Sequence, residues 1–91
     1  MHEQSLMSDL MHQLAEIVRR ERAQRVVTVR VCLGALSHFS PAHFSEHFTL
    51  ASKGGPAEGA RLEIRVGTDR TERGADGVAI ESVDLLWESG A

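Results

Sequence analysis

The sequence contains no tyrosine, one tryptophan and three phenylalanines. With aromatics at only 4% of 91 residues, any core must be aliphatic. A single cysteine, Cys32, excludes both an internal disulfide and a cysteine-based zinc site within this sequence. Long apolar runs are missing too. The longest, Val26 to Leu33, is interrupted by Thr28 and Arg30, and is far shorter than the roughly 18 residues of a membrane-spanning helix. The opening Met-His-Glu-Gln-Ser has no basic stretch leading into an apolar one, so no secretory signal is expected, and the implied setting is cytoplasmic and reducing. A net charge of −3 argues against wholesale phosphate binding; neither nucleic acid nor membrane is an expected partner. What remains, 42% hydrophobic and 25% charged, is the composition of an ordinary globular domain, taken here as one unit over residues 1–91.

The apolar spacing then lays out the elements. Leu6, Met7, Leu10, Met11, Leu14, Ile17 and Val18 recur every three or four residues, predicting a helix over about 4–23 with Ser8, His12, Glu16 and Arg19 opposite. Arg19, Arg20, Arg22 and Arg25 crowd its end, where cations suit the negative pole of the helix dipole. Val27, Val29, Val31 and Leu33 alternate with smaller or polar residues, predicting a strand that Gly34 stops. Ser40 and Pro41 read as the cap and first turn of a second helix. Phe44, Phe48 and Ala51 form its apolar face, and Gly54-Gly55-Pro56 its end.

Leu62, Ile64 and Val66 alternate with Arg61, Glu63 and Arg65 in a second strand. The interval 67–77 reads as a loop, with a turn at Gly74-Ala75-Asp76-Gly77. In the last strand, Val78 to Trp87, the apolar parity changes between Ile80 and Val83, predicting a bulge near Glu81-Ser82. The fold class is α/β (α+β) in the order α-β-α-β-β: a small three-stranded mixed sheet with two helices packed on one face. The last two strands are expected to form an antiparallel hairpin. Thr28, Arg30 and Cys32, with Arg61, Glu63 and Arg65, then face away from the helices on a mixed-charge surface. That surface is either simply wet or docks a partner, and the first strand is available as an edge.

Chemistry concentrates in few places. The Met1 amine, the His2 amide nitrogen and the His2 Nδ1 can close two fused chelate rings on one ion, with the fourth position open to Glu3 or an outside group. Planar nitrogen donation of this kind suits Ni(II) or Cu(II). By residue type alone, a histidine after the initiator methionine is more often a tail residue without a role. His43-Phe44-Ser45-Glu46-His47 matches the H-x-x-E-H zinc-hydrolase pattern; two histidines one helical turn apart can share a metal, making His43 and His47 an accessory metal site. Catalysis would need a third ligand, which no third helix supplies, so the pair otherwise reads as solvated. His38, in the preceding loop, can join them. Cys32 has no partner motif for nucleophilic work and reads as a half-covered strand residue. The arginine cluster, diluted by Glu16 and Glu21, reads as a solvated helix end.

Taken together, several of these pieces resemble one family. Met1-His2-Glu3 with Ser5-Leu6, Val29-Arg30-Val31, Leu33-Gly34-Ala35-Leu36-Ser37, and Pro41 with Phe44 and Phe48 are similar to the hydrogenase/urease nickel-incorporation metallochaperones of the HypA/HybF type. So are Ala57-Glu58-Gly59-Ala60-Arg61-Leu62-Glu63-Ile64 and Val78-Ala79-Ile80-Glu81-Ser82-Val83-Asp84-Leu85, so the likeness covers about residues 1–66 and 78–87. The resemblance implies a protein that is not an enzyme and binds Ni(II) as its cargo at Met1 (through its amine), His2 and Glu3. It would deliver the metal for maturation of nickel-iron hydrogenase. Implied partners are the hydrogenase large subunit and a nickel-handling GTPase; the sequence does not decide between monomer and homodimer. One departure is large. The family carries a zinc module on two Cys-x-x-Cys pairs between its last two strands, and residues 67–77 contain no cysteine, so no zinc is expected. The alternative reading is a metal-free scaffold or regulatory protein in a hydrogenase-maturation complex.

Overall fold

The computed structural model describes residues 3–35, 37, 39–69, 71 and 77–87. They form α1 (Glu3–Glu21), β1 (Arg25–Leu33), α2 (Pro41–Ala51), β2 (Arg61–Val66) and β3 (Val78–Leu86). Both helices pack on one face of a three-stranded mixed sheet, as the apolar patterning predicted. Met7, Leu10 and Leu14 of α1 are buried against Val29, Val31 and Leu33 of β1 and Phe44 and Phe48 of α2. Leu6, Met11 and Val18 pack around them.

α1 ends at Glu21, two residues before the expected limit, because Arg22 turns left-handed at φ 55°. The Ala23 amide donates to the Val18 carbonyl (3.0 Å) and the Arg22 amide to that of Arg19 (3.2 Å), the paired bonds of a Schellman stop. The neighbouring Glu21 carbonyl accepts from the Trp87 indole nitrogen at 2.9 Å, while the Gln24 amide donates to the Leu86 carbonyl at 2.7 Å. The end of α1 is thereby tied to the end of β3.

α2 starts as predicted: the Ser40 hydroxyl accepts from the His43 amide at 3.1 Å and Pro41 opens the first turn. Phe44 and Phe48 are buried, and Phe39 meets Phe44 edge-on at 5.8 Å. Ala51, expected on this face, is exposed instead. Ser52, one turn beyond Phe48, is buried in its place and its hydroxyl donates to the Thr49 carbonyl at 3.2 Å. The chain then leaves the helix through Gly54 at φ +77°, a conformation open to glycine without steric cost.

The sheet order is β2-β1-β3, and it corrects two expectations. β1 lies at the centre, parallel to β2 and antiparallel to β3, so the last two strands form no hairpin and β1 is no edge. The reason is burial. Val26, Val29, Val31 and Leu33 are all fully buried, and only a central strand is covered on both flanks as well as by the helices. The arginine- and glutamate-bearing β2 and the charged β3 tolerate an edge.

The bulge expected near Glu81-Ser82 is present: Arg30 pairs with Ser82 and Val31 with Ile80, so Glu81 is skipped in the ladder with β1. A second irregularity lies on β1, where Val26 pairs with Leu85 and Thr28 with Asp84, skipping Val27. It shifts the pleat, so Val26 enters the core and Val27, expected there, is only half-buried. The two slips cancel along the ladder. On β2, Leu62 and Ile64 are half-buried as expected, but Val66 at the strand end is 51% exposed.

Both ends of the β2–β3 connection meet the same end of β1. The Gly67 amide donates to the Leu33 carbonyl (2.8 Å), and the Gly34 amide donates to the Gly77 carbonyl (2.9 Å). Most of the loop expected at 67–77, and of the turn at 74–77, lies outside the described residues.

The sheet face away from the helices is held by charge. Arg30 donates to both Asp84 oxygens (3.2 and 2.9 Å), to Ser82 (3.4 Å) and to Glu63 (3.1 Å), joining three strands through one guanidinium. Arg65 of β2 reaches Glu81 of β3 at 2.8 Å, across β1 beside Cys32. Thr28, on this face as expected, is nonetheless buried and hydrogen-bonds Asp84. The hydrogen bonds from Arg30, backed by its charge, hold the Asp84 carboxyl below its usual range, and Arg65 does the same for Glu81.

Two outcomes follow from these contacts. Arg22→Gly relieves a left-handed residue at the α1 stop and should stabilise the fold by about 0.5–1 kcal/mol, since the roughly 1–2 kcal/mol steric cost exceeds the added unfolded-state entropy. Urea midpoints of the two proteins measure it. A carboxyl whose folded pKa is lowered contributes stability that is complete above its unfolded value and lost as pH falls through the folded one. The urea midpoint should therefore fall as pH drops below the ordinary values of 3.8 for Asp84 and 4.5 for Glu81, and an Asp84→Asn/Glu81→Gln double variant should show a shallower acid limb.

Candidate functional site

Of the N-terminal residues singled out by the sequence, Met1 and His2 lie outside the described residues, and Glu3 is the first residue of α1. The helix that follows them is anchored firmly. Met7, Leu10 and Leu14 are 5%, 4% and 0% exposed, so the N-terminus is carried on an element whose rotation and position the core fixes. The first four amides of any helix have no acceptor within it. A small crevice of about 160 Å³ opens further along the same helix, between Leu6, Asp9, Leu10 and Gln13 on one side and Gly77 and Val78 on the other.

The other sequence candidates are on α2. His43 is exposed and His47 half-buried, and their rings stack at 4.5 Å between centroids with planes 13° apart. Phe44 and Phe48, buried one residue further along, set the turn of the helix and hold both imidazoles on its flank. Phe39 sits 6.4 Å from the His43 ring. His38 lies outside the described residues.

Among the described residues no three His, Cys, Asp or Glu side chains converge on one point, so the third ligand a zinc hydrolase needs is not assembled there. Cys32 is half-buried on the charged sheet face, with no histidine among its cross-strand partners Arg65 and Ala79. Arg19 pairs with Glu16 on exposed helix surface, in keeping with a solvated helix end. No described helix is long and apolar enough to cross a membrane.

Sequence reasoning placed Arg30 on the outer face but missed its role as the group joining three strands. The signal was unavailable, because that role exists only with β1 at the centre. It also found the His43/His47 spacing without being able to say that the rings would meet face to face.

Comparison with known proteins sets these features in context. The family model described as hydrogenase/urease nickel incorporation, metallochaperone, HypA, matches residues 1–72. A hydrogenase maturation factor HypA from Archaeoglobus fulgidus is 38% identical over 66 residues, which are 72% of this chain and 60% of that protein. A protein of the same description from Methylocella silvestris is 36% identical over 66 residues, covering 72% of this chain and 58% of its own length. The matches thus span about three fifths of these relatives. The solution structure of the Ni metallochaperone HypA from Helicobacter pylori superposes with a TM-score of 0.78, covering 97% of this chain and 100% of that one; at 18% identity this speaks for the fold. With the model matched from residue 1 through residue 72, the chain belongs to the HypA family of hydrogenase/urease nickel-incorporation metallochaperones.

Proposed function

We propose that this protein is a nickel carrier, not an enzyme, that holds Ni(II) at its N-terminus and hands it on during maturation of nickel-iron hydrogenase. The observation that carries the reading is the family match, which begins at residue 1 and so takes in Met1-His2-Glu3. In this proposal the Met1 amine, the His2 amide and the His2 Nδ1 donate in one plane, and Glu3 or a client's ligand takes the fourth position. Two fused chelate rings give tight capture, while the open position gives a route out by ligand exchange. Each nitrogen must lose its proton to bind, so uptake weakens as pH falls. The receiving client is the hydrogenase large subunit, a nickel-handling GTPase is the second partner, and the work is cytoplasmic.

Zinc has no part in the reading, because Cys32 is the one cysteine of this sequence. The position of the missing module supports a fold that stands without it. Gly67 and Gly77 both bond to the end of β1, so a short connection and a large insertion leave from and return to the same place. The rival reading, a metal-free scaffold, draws on the same shortened interval.

One experiment separates them. Ni(II) titrated into the protein at neutral pH should raise the visible absorbance of planar Ni(II), saturating near one equivalent. His2→Ala should abolish that band without changing far-ultraviolet circular dichroism, because the residue precedes α1. Adding one residue ahead of Met1 should abolish it as well, since the amine is then displaced. A band unaffected by either change rejects the nickel carrier, and absence of any band in the unaltered protein favours the scaffold.

A further inference from the structure

A second site on α2 is independent of the N-terminus. We propose that His43 and His47 together bind one borderline transition-metal dication of the Ni(II) or Zn(II) class through two imidazole nitrogens. The spacing is one helical turn, which places both side chains on the same flank. Two nitrogens on one ion, each about 2.0–2.1 Å away, stand roughly 3 Å apart, a separation that imidazoles on adjacent helical turns can reach. The two rings lie side by side, 4.5 Å apart and 13° from parallel, and each turns about its side-chain bonds out of the stack so that the in-plane lone pairs meet at one ion.

The platform is rigid where it must be. The Ser40 hydroxyl on the His43 amide and Pro41 in the first turn fix the start of α2. Phe44 and Phe48, 0% and 2% exposed, prevent the helix from rolling and carrying the imidazoles apart. Once one imidazole is bound, the other meets the ion at high effective concentration, so the pair binds more tightly than either ring alone. Exposed His43 gives the ion an open approach. Two protein ligands leave the remaining positions to water or to another protein's ligands, and no hydrolytic centre is completed. The site is one of transient loading.

The test uses the His2→Ala protein, so the N-terminal ligands make no contribution. An ion held by two imidazoles and several waters is paramagnetic when it is Ni(II), unlike the planar complex proposed at the N-terminus, and it broadens nearby resonances. Ni(II) titration should broaden the amide signals of residues 43–47 first. His43→Ala and His47→Ala should each raise the apparent dissociation constant about tenfold or more. His43→Gln and His47→Gln, which keep a polar helix surface, are measured beside them in case truncation disturbs packing at α2. Signals of α2 that stay sharp at millimolar Ni(II), or broadening that persists unchanged in the glutamine variants, overturn the proposal. Failure of the N-terminal reading would show instead as an unaltered planar-Ni(II) band on His2→Ala, which this titration does not touch.

Discussion

The structure depends on where β1 goes. Its four fully buried aliphatic residues, Val26, Val29, Val31 and Leu33, cannot be covered by helices alone, and the strand is satisfied only with a neighbour on each side. Placing it centrally forces β2 to lie parallel, through the α2 crossover, and β3 to return antiparallel on the other flank. The same placement puts Arg30 in the middle of the outer face, within reach of carboxylates on both outer strands. These ion pairs are exposed, and their individual worth is small. Their arrangement matters more for register: an Arg30 paired with both Glu63 and Asp84 disfavours a one-residue slip of either edge strand.

The same topology brings the two ends of the β2–β3 connection to one place. The chain leaves β2 at Gly67 and enters β3 at Gly77, and both positions are hydrogen-bonded to the Leu33–Gly34 end of β1. Change confined to this end leaves the described helices and the core where they are. The matched stretch is about three fifths of the length of two relatives, and the fold agrees with a HypA structure at a TM-score of 0.78.

The helices were legible because their signals are local. Leu10 and Leu14 recur at helical spacing, and Ser40-Pro41 is a cap followed by a residue preset for a first turn, so each boundary needs only a few neighbouring residues. The bulge at Glu81 was legible for the same reason, as a change of parity within one strand. The matching slip at Val27 was not. Val26 and Val27 are chemically identical, and which of them enters the core is decided by the partner strand. The N-terminal metal reading likewise came from residue types and family likeness, whereas the adjacency of the His43 and His47 rings is seen only in the fold.

By itself, then, the sequence determined the number and kind of elements and the aliphatic character of the core. Both follow from side-chain type and short-range spacing. Tertiary structure alone decided that β1 is central, that the last two strands are separated by it, and that Arg30 links three strands. Strand order is a competition among long-range pairings, and the winner is the arrangement that buries the most apolar strand on every side, a quantity no local window of sequence contains.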